Sequence, residues 1–444
     1  MKNEAHTQDA LVCSIYARAE EIADRVVGNP PDPQTGFTAA ADRIITSRLL
    51  ALPLILALLA FLFWITIFGA NYPSDLLARL FFWIEGLLVQ AFTKLGSPPW
   101  LLGVLVSGLY RGLAWVAAVM LPPMAIFFPL FTLLEDLGFL PRLAFNLDRL
   151  FQKAGAHGKQ ALTMAMGFGC NAAGVVAARI IDSPRERLLA VLTNNLVPCN
   201  GRFPLLITMG TFLGAALFPG GSGSLAPALL VLGAVLLGVG ATFLVSKVLA
   251  ATILKGKPSF FVLELPPYRL PRLGQVLARS FLDRTLFVLA RAMQVAAPAG
   301  VLIWILANTS VQKITLINHF SRWLDPLGRA MGLDGVILLS FILGLPANEI
   351  VIPAMLMNYL AAGALLELES LGAVRQVLLL NGWTGLTAFN FMVFTIFHWP
   401  CGTTLLTIKK ETGSLKWAFL AALLPTLLGL ALCLLITKLT TVFL

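Results

Sequence analysis

Four short interruptions of otherwise apolar, membrane-length segments constrain the fold of this chain most. Two of them combine glycine with asparagine, Gly167-Phe-Gly-Cys-Asn171 and Gly344-Leu-Pro-Ala-Asn348-Glu349, and each is followed by a proline-cysteine step, Pro198-Cys-Asn-Gly201 and Pro400-Cys-Gly402. Lipid offers an unpaired backbone group no hydrogen-bond partner, so a broken helix at membrane depth must line a cavity or pack on protein. Paired breaks in two halves of a chain indicate the binding site of a transporter.

The composition supports a membrane protein independently. Of the 444 residues, 58% are hydrophobic and 12% are charged, and the mean hydropathy is +0.84, whereas about a quarter of the residues of a soluble domain are charged. The net charge is +10, but the basic residues fall mainly between apolar runs, as in positive-inside loops. No nucleic-acid-binding module is recognisable, so we expect no nucleic-acid partner and a lipid bilayer as the surroundings.

Apolar runs of roughly 20 residues, the length that crosses the hydrocarbon core, predict an all-α polytopic fold with about eight or nine membrane segments. The candidate crossings are 49–69, 107–134, 188–218, 226–250, 285–308, 377–398 and 417–442. Segments 160–181 and 335–360 contain breaks and are predicted to be re-entrant, because a spanning 160–181 would carry Arg179 and the arginines after it to the outside. The two broken segments would then be inverted copies related by a pseudo-two-fold axis in the membrane plane.

The N-terminal region is predicted to be a cytoplasmic helix. Residues 1–40 are polar and lack a signal-peptide pattern. Apolar residues in the stretch from Thr7 to Val27 recur at helical spacing, at Leu11, Ile15, Ala19, Ile22 and Val26. The remaining predicted boundaries are a first transmembrane helix with an interfacial segment (41–106), a first repeat (107–255), a basic cytoplasmic loop (256–284), a second repeat (285–416) and a C-terminal transmembrane helix (417–444).

The polar residues at the breaks are candidate metal ligands. Cys170, Cys199 and Cys401 each adjoin glycine or proline at a break. Thiolates are soft ligands, and an imidazole and a carboxylate, supplied by His398 and Glu349, extend the set to borderline divalent metals such as iron(II). Asparagine side chains add oxygen ligands, namely Asn171, Asn348 and Asn200, with Asn195 beside them.

Each candidate also has a purely structural interpretation. A buried cysteine usually packs as a small hydrophobe, and this is the interpretation that we favour for Cys433. Glu349 is alternatively an ion-pair partner of Arg202, and His398 is alternatively a hydrogen-bonding residue at a helix end. An ionisable residue at membrane depth is nevertheless costly to insert, which favours a functional role for the set at the breaks.

Catalytic and nucleotide-binding motifs are missing from the sequence. There is no HExxH motif, nucleophile elbow or Walker A pattern, and Gly220-Gly-Ser-Gly223 is predicted to be a loop between crossings. We therefore expect no enzymatic activity in this chain, no permanently bound cofactor, and use of GTP only through a partner.

Several ordered motifs resemble the membrane portion of the bacterial ferrous iron transport protein B (FeoB) family, from about Asp42 to the C-terminus. They are Leu133-Leu-Glu-Asp-Leu-Gly-Phe-Leu-Pro-Arg142, Gly167-Phe-Gly-Cys-Asn171, Ser183-Pro-Arg-Glu-Arg-Leu188, Pro198-Cys-Asn-Gly-Arg-Phe-Pro204, Gly344-Leu-Pro-Ala-Asn-Glu-Ile-Val351, His398-Trp-Pro-Cys-Gly-Thr-Thr404 and Thr407-Ile-Lys-Lys-Glu-Thr-Gly-Ser-Leu-Lys-Trp417. The resemblance implies two Gate-type repeats and uptake of Fe²⁺ across the bacterial inner membrane. It carries the family's gate cysteines over to Cys170, Cys199 and Cys401.

The chain departs from the family at its N-terminus. Family members usually begin with a GTP-binding G domain and a helical linker, whereas only a linker-like stub, from about Ala5 to Val27, precedes the membrane segments here. Because the sequence opens with methionine, a separate GTPase chain is expected, and a transporter without a G domain is equally allowed. A small FeoA-like accessory protein is another expected partner, and a homo-oligomer is left open.

Asn171-Ala-Ala and Cys199-Asn-Gly differ from the usual family motifs. The choice among Fe²⁺, Mn²⁺, Zn²⁺ and Co²⁺ is therefore open, since their ligand preferences overlap.

Two rival functions remain at this stage. A Gate-type transporter of a nucleoside or another organic solute would use the asparagines and Glu349 and dispense with the cysteines. A non-transporting scaffold or sensor would act through residues 1–40.

Overall fold

The computed structural model describes residues 14–23, 25–26, 43, 45, 47, 51–217, 225–256, 272–366, 368 and 370–443. Two units are distinguished, Met1–Ile55 and Leu56–Leu444. In the first, residues 14–23 and 25–26 are helical and exposed, and Glu21 pairs with Arg18 and Arg25. The described part of the predicted N-terminal helix is therefore helical. Cys13, the Gly220–Gly223 segment and most of the predicted basic loop lie outside the described residues.

Helices up to residue 251 form a first copy of a repeated motif and the segments that precede it. The chain starts with α1 (Ala51–Lys94) and α2 (Pro99–Leu102), then a π-helical segment (Gly103–Tyr110), α3 (Arg111–Asp136), α4 (Phe139–Lys153), α5 (Gln160–Gly169), α6 (Asn171–Ala177), α7 (Pro184–Thr193), α8 (Phe203–Leu217) and α9 (Leu225–Ala251). Single 3₁₀ turns lie at Ala178–Ile180, Asn194–Leu196 and Asn200–Arg202.

The second copy repeats this order. It comprises α10 (Leu273–Arg279), a π-helical segment (Ser280–Leu286), α11 (Phe287–Asn308), a hairpin of β1 (Ser310–Val311) and β2 (Ile314–Thr315), α12 (Leu316–Ala330), α13 (Gly335–Leu343), a 3₁₀ turn (Asn348–Ile350), α14 (Val351–Tyr359), α15 (Leu371–Leu380), α16 (Gly385–Phe397), α17 (Gly402–Thr412) and α18 (Leu415–Phe443). The two strands pair antiparallel, with Ser310 opposite Thr315.

As far as the first break of each copy, equivalent positions share their backbone geometry at a constant offset in residue number. Gly155 and Gly332 both adopt positive φ, +73° and +68°, a conformation that is open to glycine without steric strain. Asp148 accepts a hydrogen bond from the Gly158 amide at 2.8 Å, and Asp325 accepts one from the Gly335 amide at 3.1 Å. In each copy a carboxylate on the helix before the broken segment therefore fixes where that segment starts.

The two copies run in opposite directions. The helical stretch Gly103–Asp136 of the first copy packs on α11. At one end of this contact a Cβ on Gly103 would overlap the Trp304 ring, and further along a Cβ on Gly112 would lie 3.0 Å from the Gly300 Cα. At the far end, Ser280 donates to Thr132 at 2.9 Å. As residue numbers rise in one helix they fall in its partner, so the corresponding helices are antiparallel. This geometry confirms the predicted inverted repeats.

Six helices in the described part of the chain are long and apolar enough to cross a membrane: Ala60–Lys94, Pro99–Asp136, Ala226–Ala251, Leu273–Asn308, Gly385–Thr412 and Leu415–Val442. Leu316–Ala330 and Gly335–Leu343 form a further pair bent by 113°. The predicted crossing 188–218 is not one helix, because Pro198 and two 3₁₀ turns separate α7 from α8. The predicted crossing 377–398 likewise begins only at Gly385, since the chain turns after Leu380.

Apolar side chains pack the broken segments from behind. Phe341, Phe391 and Phe397 are fully buried in one cluster that joins the two copies, and Leu189 and Phe203 belong to a second cluster around the first copy's breaks. Between helices in a bilayer, such side chains stabilise the fold through close van der Waals packing. The breaks are therefore held by dense packing on one side.

Candidate functional site

The first break lies between α5 and α6 and is made possible by glycine. Cys170 is extended (φ −156°, ψ 122°) between the two helices. The Asn194 amide packs so closely that a Cβ on Gly167 would lie 2.7 Å from its Oδ1, and one on Gly174 would lie 2.6 Å from its Nδ2. That Nδ2 donates to the Asn171 carbonyl at 3.0 Å. A polar side chain inside the protein therefore packs against the interruption and bonds to its backbone, and a break at membrane depth is tolerated where it packs on protein in this way.

The second copy reproduces this break. Ala347 is extended in nearly the same conformation (φ −154°, ψ 130°), directly before Asn348. The proline-cysteine steps complete each copy, because Cys199 and Cys401 both have extended backbones and both precede a helical turn. Proline removes a donor and disfavours helix in the residue before it, which explains why both helices stop there.

All four breaks meet at one place between the copies. Asn348 Nδ2 donates to Cys199 Sγ at 3.7 Å, and Asn348 Oδ1 lies 3.1 Å from His398 Nε2. Asn195 Nδ2 donates to the His398 carbonyl at 3.0 Å. The Gly402 amide donates to the Leu345 carbonyl at 2.6 Å.

The break at Cys170 is connected to the other breaks through an asparagine pair and through helix packing. The side-chain amides of Asn171 and Asn195 lie 3.1 Å apart, and α6 packs on α17, the helix that Cys401 precedes. The structure therefore brings the four interruptions of the sequence into one polar junction.

The predicted ligands occupy this junction, although they are not arranged as a finished metal site. The Cys170, Cys199 and Cys401 thiols lie within electrostatic range of one another, as does Glu349 with the latter two. Cys401 Sγ lies 3.2 Å from Thr404 Oγ1. Within the described ranges, no three His, Cys, Asp or Glu side chains are grouped closely enough to hold an ion.

Glu349 and Asn200 are at the edge of the junction. A Cβ on Gly201 would collide with the Glu349 carboxylate, so glycine is needed for its close approach. The Asn200–Arg202 and Asn348–Ile350 turns pack on each other. The roles of all these residues as ligands stay a prediction.

Arg202 lies at the centre of the junction and was considered in the sequence only as a partner for Glu349. It is fully buried. Its guanidinium donates to the carbonyls of Asn195, Ile396, His398 and Trp399 and to Asn195 Oδ1, at 2.7–3.4 Å. The recorded hydrogen bonds thus run to carbonyl groups of both copies. An arginine within an apolar run was the signal that could have found it.

A cavity of about 630 Å³ opens beside the first break. Met166 and Ala173, on either side of Cys170, contribute to its wall, as does Phe131. Phe131 stacks on Phe127 with ring centroids 5.8 Å apart, and Phe127 packs against Gly169. An aromatic pair therefore stands between the cavity and the break.

Ion pairs between the copies border this cavity. Arg179 of the first copy binds Glu411 of the second through two hydrogen bonds of 2.7 Å. Glu135 of the first copy accepts from Arg284 of the second at 2.9 Å. All four side chains line the cavity. Because each pair joins opposite copies, relative motion of the copies would have to break or remake them.

Together these features define a polytopic α-helical membrane protein built from two inverted Gate-type repeats around a polar junction. The Gate family model, described as nucleoside recognition, matches residues 117–213 and 289–415, about half of the chain. The model described as ferrous iron transport protein B C terminus matches residues 231–283. The chain belongs to the ferrous iron transport protein B (FeoB) family, whose membrane (Gate) portion it contains, and the resemblance seen in the sequence is confirmed.

Individual relatives agree with this assignment. The Fe(2+) transporter FeoB of Staphylococcus aureus (strain MSSA476) is 31% identical over 421 residues, covering 91% of this chain and 60% of the relative. That of Methanocaldococcus jannaschii is 28% identical, covering 94% and 61%. A Fe(2+) transport protein A/Fe(2+) transporter FeoB fusion protein of Porphyromonas gingivalis is 26% identical, covering 86% and 49%. The chain thus spans about 60% of the first relatives' length, and no solved structure matches it significantly.

Proposed function

We propose that this protein carries Fe²⁺ across a membrane through the junction of the four breaks. The observation that carries the proposal is the convergence of Cys199, Asn348 and His398, from three breaks and both copies, within hydrogen-bond contact. Relatives of 31% and 28% identity are named Fe(2+) transporters, which supports the choice of ion. Movement of one inverted repeat against the other would expose a fixed site alternately to the two sides of the membrane.

The ligand chemistry of the proposed site is mixed. Thiols of Cys170, Cys199 and Cys401 offer soft sulfur, and Asn171, Asn348 and Asn200 offer neutral oxygen; Glu349 and His398 complete the set. Such ligands replace part of the hydration shell of a borderline ion. Conduction requires binding that is favourable enough to enter and weak enough to leave. Side chains that are now hydrogen-bonded to one another would exchange these partners for the ion, which suits a transient site.

We infer that the bordering cavity is a vestibule on the cytoplasmic side. Lys159, Arg179 and Arg284 lie at its rim, and basic residues favour the cytoplasmic face. The same orientation supports a cytoplasmic N-terminus. We propose insertion in a bacterial cell (inner) membrane, since a relative of 31% identity is bacterial. The paired Phe127 and Phe131 would then close the passage between this vestibule and Cys170.

A GTPase on a separate chain is the proposed energy-coupling partner. The family models match membrane domains, and GTP would act only through that partner. The fusion of a transport protein A to one relative supports a small FeoA-like protein as a second partner. No resident cofactor is proposed, and Fe²⁺ is the substrate.

Uptake of Fe²⁺ by cysteine variants tests the proposal. Cells that lack other ferrous uptake, and vesicles that contain the purified full chain, are supplied with anaerobic Fe²⁺. Cys170→Ser and Cys401→Ser should lower the initial rate about tenfold or more, because a hydroxyl is a poor substitute for a soft ligand. Cys433→Ser is the matched control, since Cys433 is buried outside the breaks and bonds only to the Asn390 carbonyl among the contacts described. Normal uptake by both gate variants at equal protein level would reject the mechanism.

A nucleoside transporter is the second candidate, because the matching family model is described as nucleoside recognition. The same vesicles, supplied with a labelled nucleoside, separate the two. Nucleoside accumulation that depends on Asn348 but not on Cys170 would favour this rival.

A scaffold role is tested by deleting residues 1–40. It predicts loss of activity on that deletion alone, with all gate cysteine variants normal.

A further inference from the structure

We propose that Arg202 is the positioning residue of the transport site, holding both proline-cysteine steps in place and supplying a fixed positive charge that keeps cation binding weak. This inference rests on the proposed function. Its structural basis is separate, because it begins from a buried guanidinium whose hydrogen bonds run to backbone carbonyls and to the Asn195 side-chain oxygen.

The first step of the argument is geometric. Arg202 follows Cys199 by three residues in the first copy. Its Nη1 donates to the carbonyls of Asn195 (2.7 Å) and Ile396 (3.0 Å), and its Nη2 to that of His398 (3.1 Å). One rigid fork therefore spans the residues before the first proline-cysteine step and those before the second. Arginine offers such a planar, multidentate arrangement, whereas lysine does not.

The second step concerns the two copies. The position three residues after Cys401 is Thr404, whose hydroxyl lies 3.2 Å from Cys401 Sγ. The described contact of Thr404 is with Cys401 of its own copy, whereas Arg202 bonds to carbonyls of the other copy. Arg202 thus ties the two steps together through backbone carbonyls, in addition to the side-chain contacts of Asn348 with Cys199 and His398. Loss of Arg202 would release the Ile396 and Trp399 carbonyls of the second copy, whereas the His398 carbonyl would keep the Asn195 amide as a donor.

The third step concerns charge. The recorded hydrogen bonds of Arg202 go to carbonyls and an amide oxygen, and its Nε finds no acceptor among the described residues. The guanidinium lies within electrostatic range of Cys199 and Cys401. Two positive charges repel more strongly in a medium of low dielectric constant than in water. A fixed charge at this point therefore weakens the hold on an entering divalent cation and favours its release.

Two substitutions separate geometry from charge. Arg202→Lys keeps the charge and loses the fork, so the maximal rate of Fe²⁺ uptake should fall about tenfold while KM changes by less than about threefold. Arg202→Met removes both, so the rate should fall further and KM should also fall at least about fivefold, because the repulsion is gone. If Arg202→Met does not fold, Arg202→Gln is used, since it is uncharged and keeps donors. Arg142→Lys is the control, as Arg142 is equally buried but lies on α4.

A purely structural role would lower the rate through the amount of active protein and leave KM unchanged. An unchanged KM in the uncharged variant therefore overturns the charge role. An equal loss of rate in Arg142→Lys and Arg202→Lys overturns the positioning role.

A readout without transport keeps this inference separate from the proposed function. Purified variants are treated with N-ethylmaleimide, and adducts at Cys199 and Cys401 are followed by peptide mass spectrometry. Arg202→Lys should label at both thiols several-fold faster than the unchanged protein, with Arg142→Lys unaffected. If the unchanged protein carries no Fe²⁺ but this pattern appears, the transport proposal fails and the positioning role stands. Identical labelling in all three proteins refutes positioning even where Fe²⁺ uptake is observed.

Discussion

The break between α5 and α6 in the first copy is lined by amide groups, whereas the equivalent break in the second copy is packed with an apolar side chain. In the first, Gly167 and Gly174 leave room for the Asn194 amide. In the second, the equivalents are Gly344 and Val351, and a Cβ on Gly344 would lie 2.5 Å from Val351 Cγ2. Valine in place of glycine thus fills with an apolar side chain the position that an amide occupies in the first copy, although Asn348 keeps the second break polar on its other side.

The scaffold is shared more closely than the side chains that it presents. Both copies open with a π-helical segment, a feature that is frequent at functional sites. Both place a capping aspartate before the broken segment. By contrast, Cys170 is matched by Ala347, and Arg202 by Thr404. When two inverted halves exchange conformations, such differences make the two end states unequal in free energy, and transport acquires a preferred resting side.

Gly174→Val should have the largest effect, since it gives the first copy the residue that the second copy carries. A Cβ at this position would lie 2.6 Å from the Asn194 amide and 2.7 Å from the backbone carbonyl of Thr163. The Thr163 carbonyl belongs to the backbone and cannot move aside as a flexible side chain would. We therefore expect the substitution to lower the free energy of unfolding by about 3 kcal/mol or more. Thermal unfolding of the detergent-purified protein measures it.

Gly233→Val is the control for that experiment. A Cβ on Gly233, in α9, meets no atom within 4 Å. Equal melting temperatures for the two variants would show that Asn194 and Gly174 are not tightly packed, and would remove the difference in packing between the two breaks.

The equivalent asparagines provide the next test. Asn348 contacts Cys199 of the other copy and His398 of its own, whereas the contacts described for the Asn171 side chain are with residues of the first copy, namely Asn194, Asn195 and the Gly167 carbonyl. We expect Asn348→Ala to lower Fe²⁺ uptake about tenfold and Asn171→Ala about threefold, because the former opens the contact between copies and removes a ligand at once. Initial rates in vesicles decide this. The reverse ranking would place the site nearer the first copy.

The sequence predicted these breaks because helix-breaking residues and polar side chains are both rare inside apolar runs. Gly167, Pro198, Gly344 and Pro400 therefore sufficed to locate the interruptions and, with the flanking arginines, to predict inversion. Neither the helix-breaking residues nor the flanking arginines indicate which distant residues come into contact. The crossing 188–218 was wrong because hydropathy does not register the 3₁₀ turns around Pro198.

Residues that act through distant partners were missed for the same reason. Nothing local distinguishes Asn194, whose amide fits between Gly167 of α5 and Gly174 of α6. Arg202 was considered only as an alternative ion-pair partner of Glu349, because opposite charges suggest a pair, whereas it bonds to Asn195 and to carbonyls more than 190 residues away, such as that of Ile396. Such contacts depend on how the two copies meet, which only the folded chain specifies.

Neutralising the ion pairs between copies should have a smaller effect. Arg179–Glu411 and Arg284–Glu135 border the vestibule from opposite copies. Partly exposed pairs of this kind stabilise a protein by less than about 1 kcal/mol, so Glu411→Gln should hardly change the melting temperature. If the pairs hold the copies together, maleimide labelling of Cys170 should rise about twofold to threefold in Glu411→Gln and again in the double variant with Glu135→Gln. Labelling at the unchanged rate would show that the vestibule does not open by separating the copies.

The smallest effect is expected from the capping positions before the two broken segments. Asp334 occupies this position in the second copy and accepts from the Ile337 amide at 2.7 Å. His157 occupies it in the first and accepts from the Lys159 amide through Nδ1 at 3.0 Å. Burial lowers the pKa of His157 below its usual 6.5, against the nearby carboxylates of Glu186 and Asp148, which raise it.

A folded-state pKa below the unfolded one means that the unfolded chain binds the proton more readily. The stability contributed by neutral His157 is therefore fully present above pH 6.5 and is lost as the pH falls below 6.5 towards the folded-state value. His157→Asn keeps a side-chain acceptor and does not titrate, so the decline in melting temperature between about pH 7 and 5 should be shallower. The same substitution at His319, a half-buried residue of α12, controls for the loss of one histidine. A decline as steep as in the unchanged protein would show that protonation at the first copy's cap does not weaken the fold, and that histidine and aspartate serve this position equally.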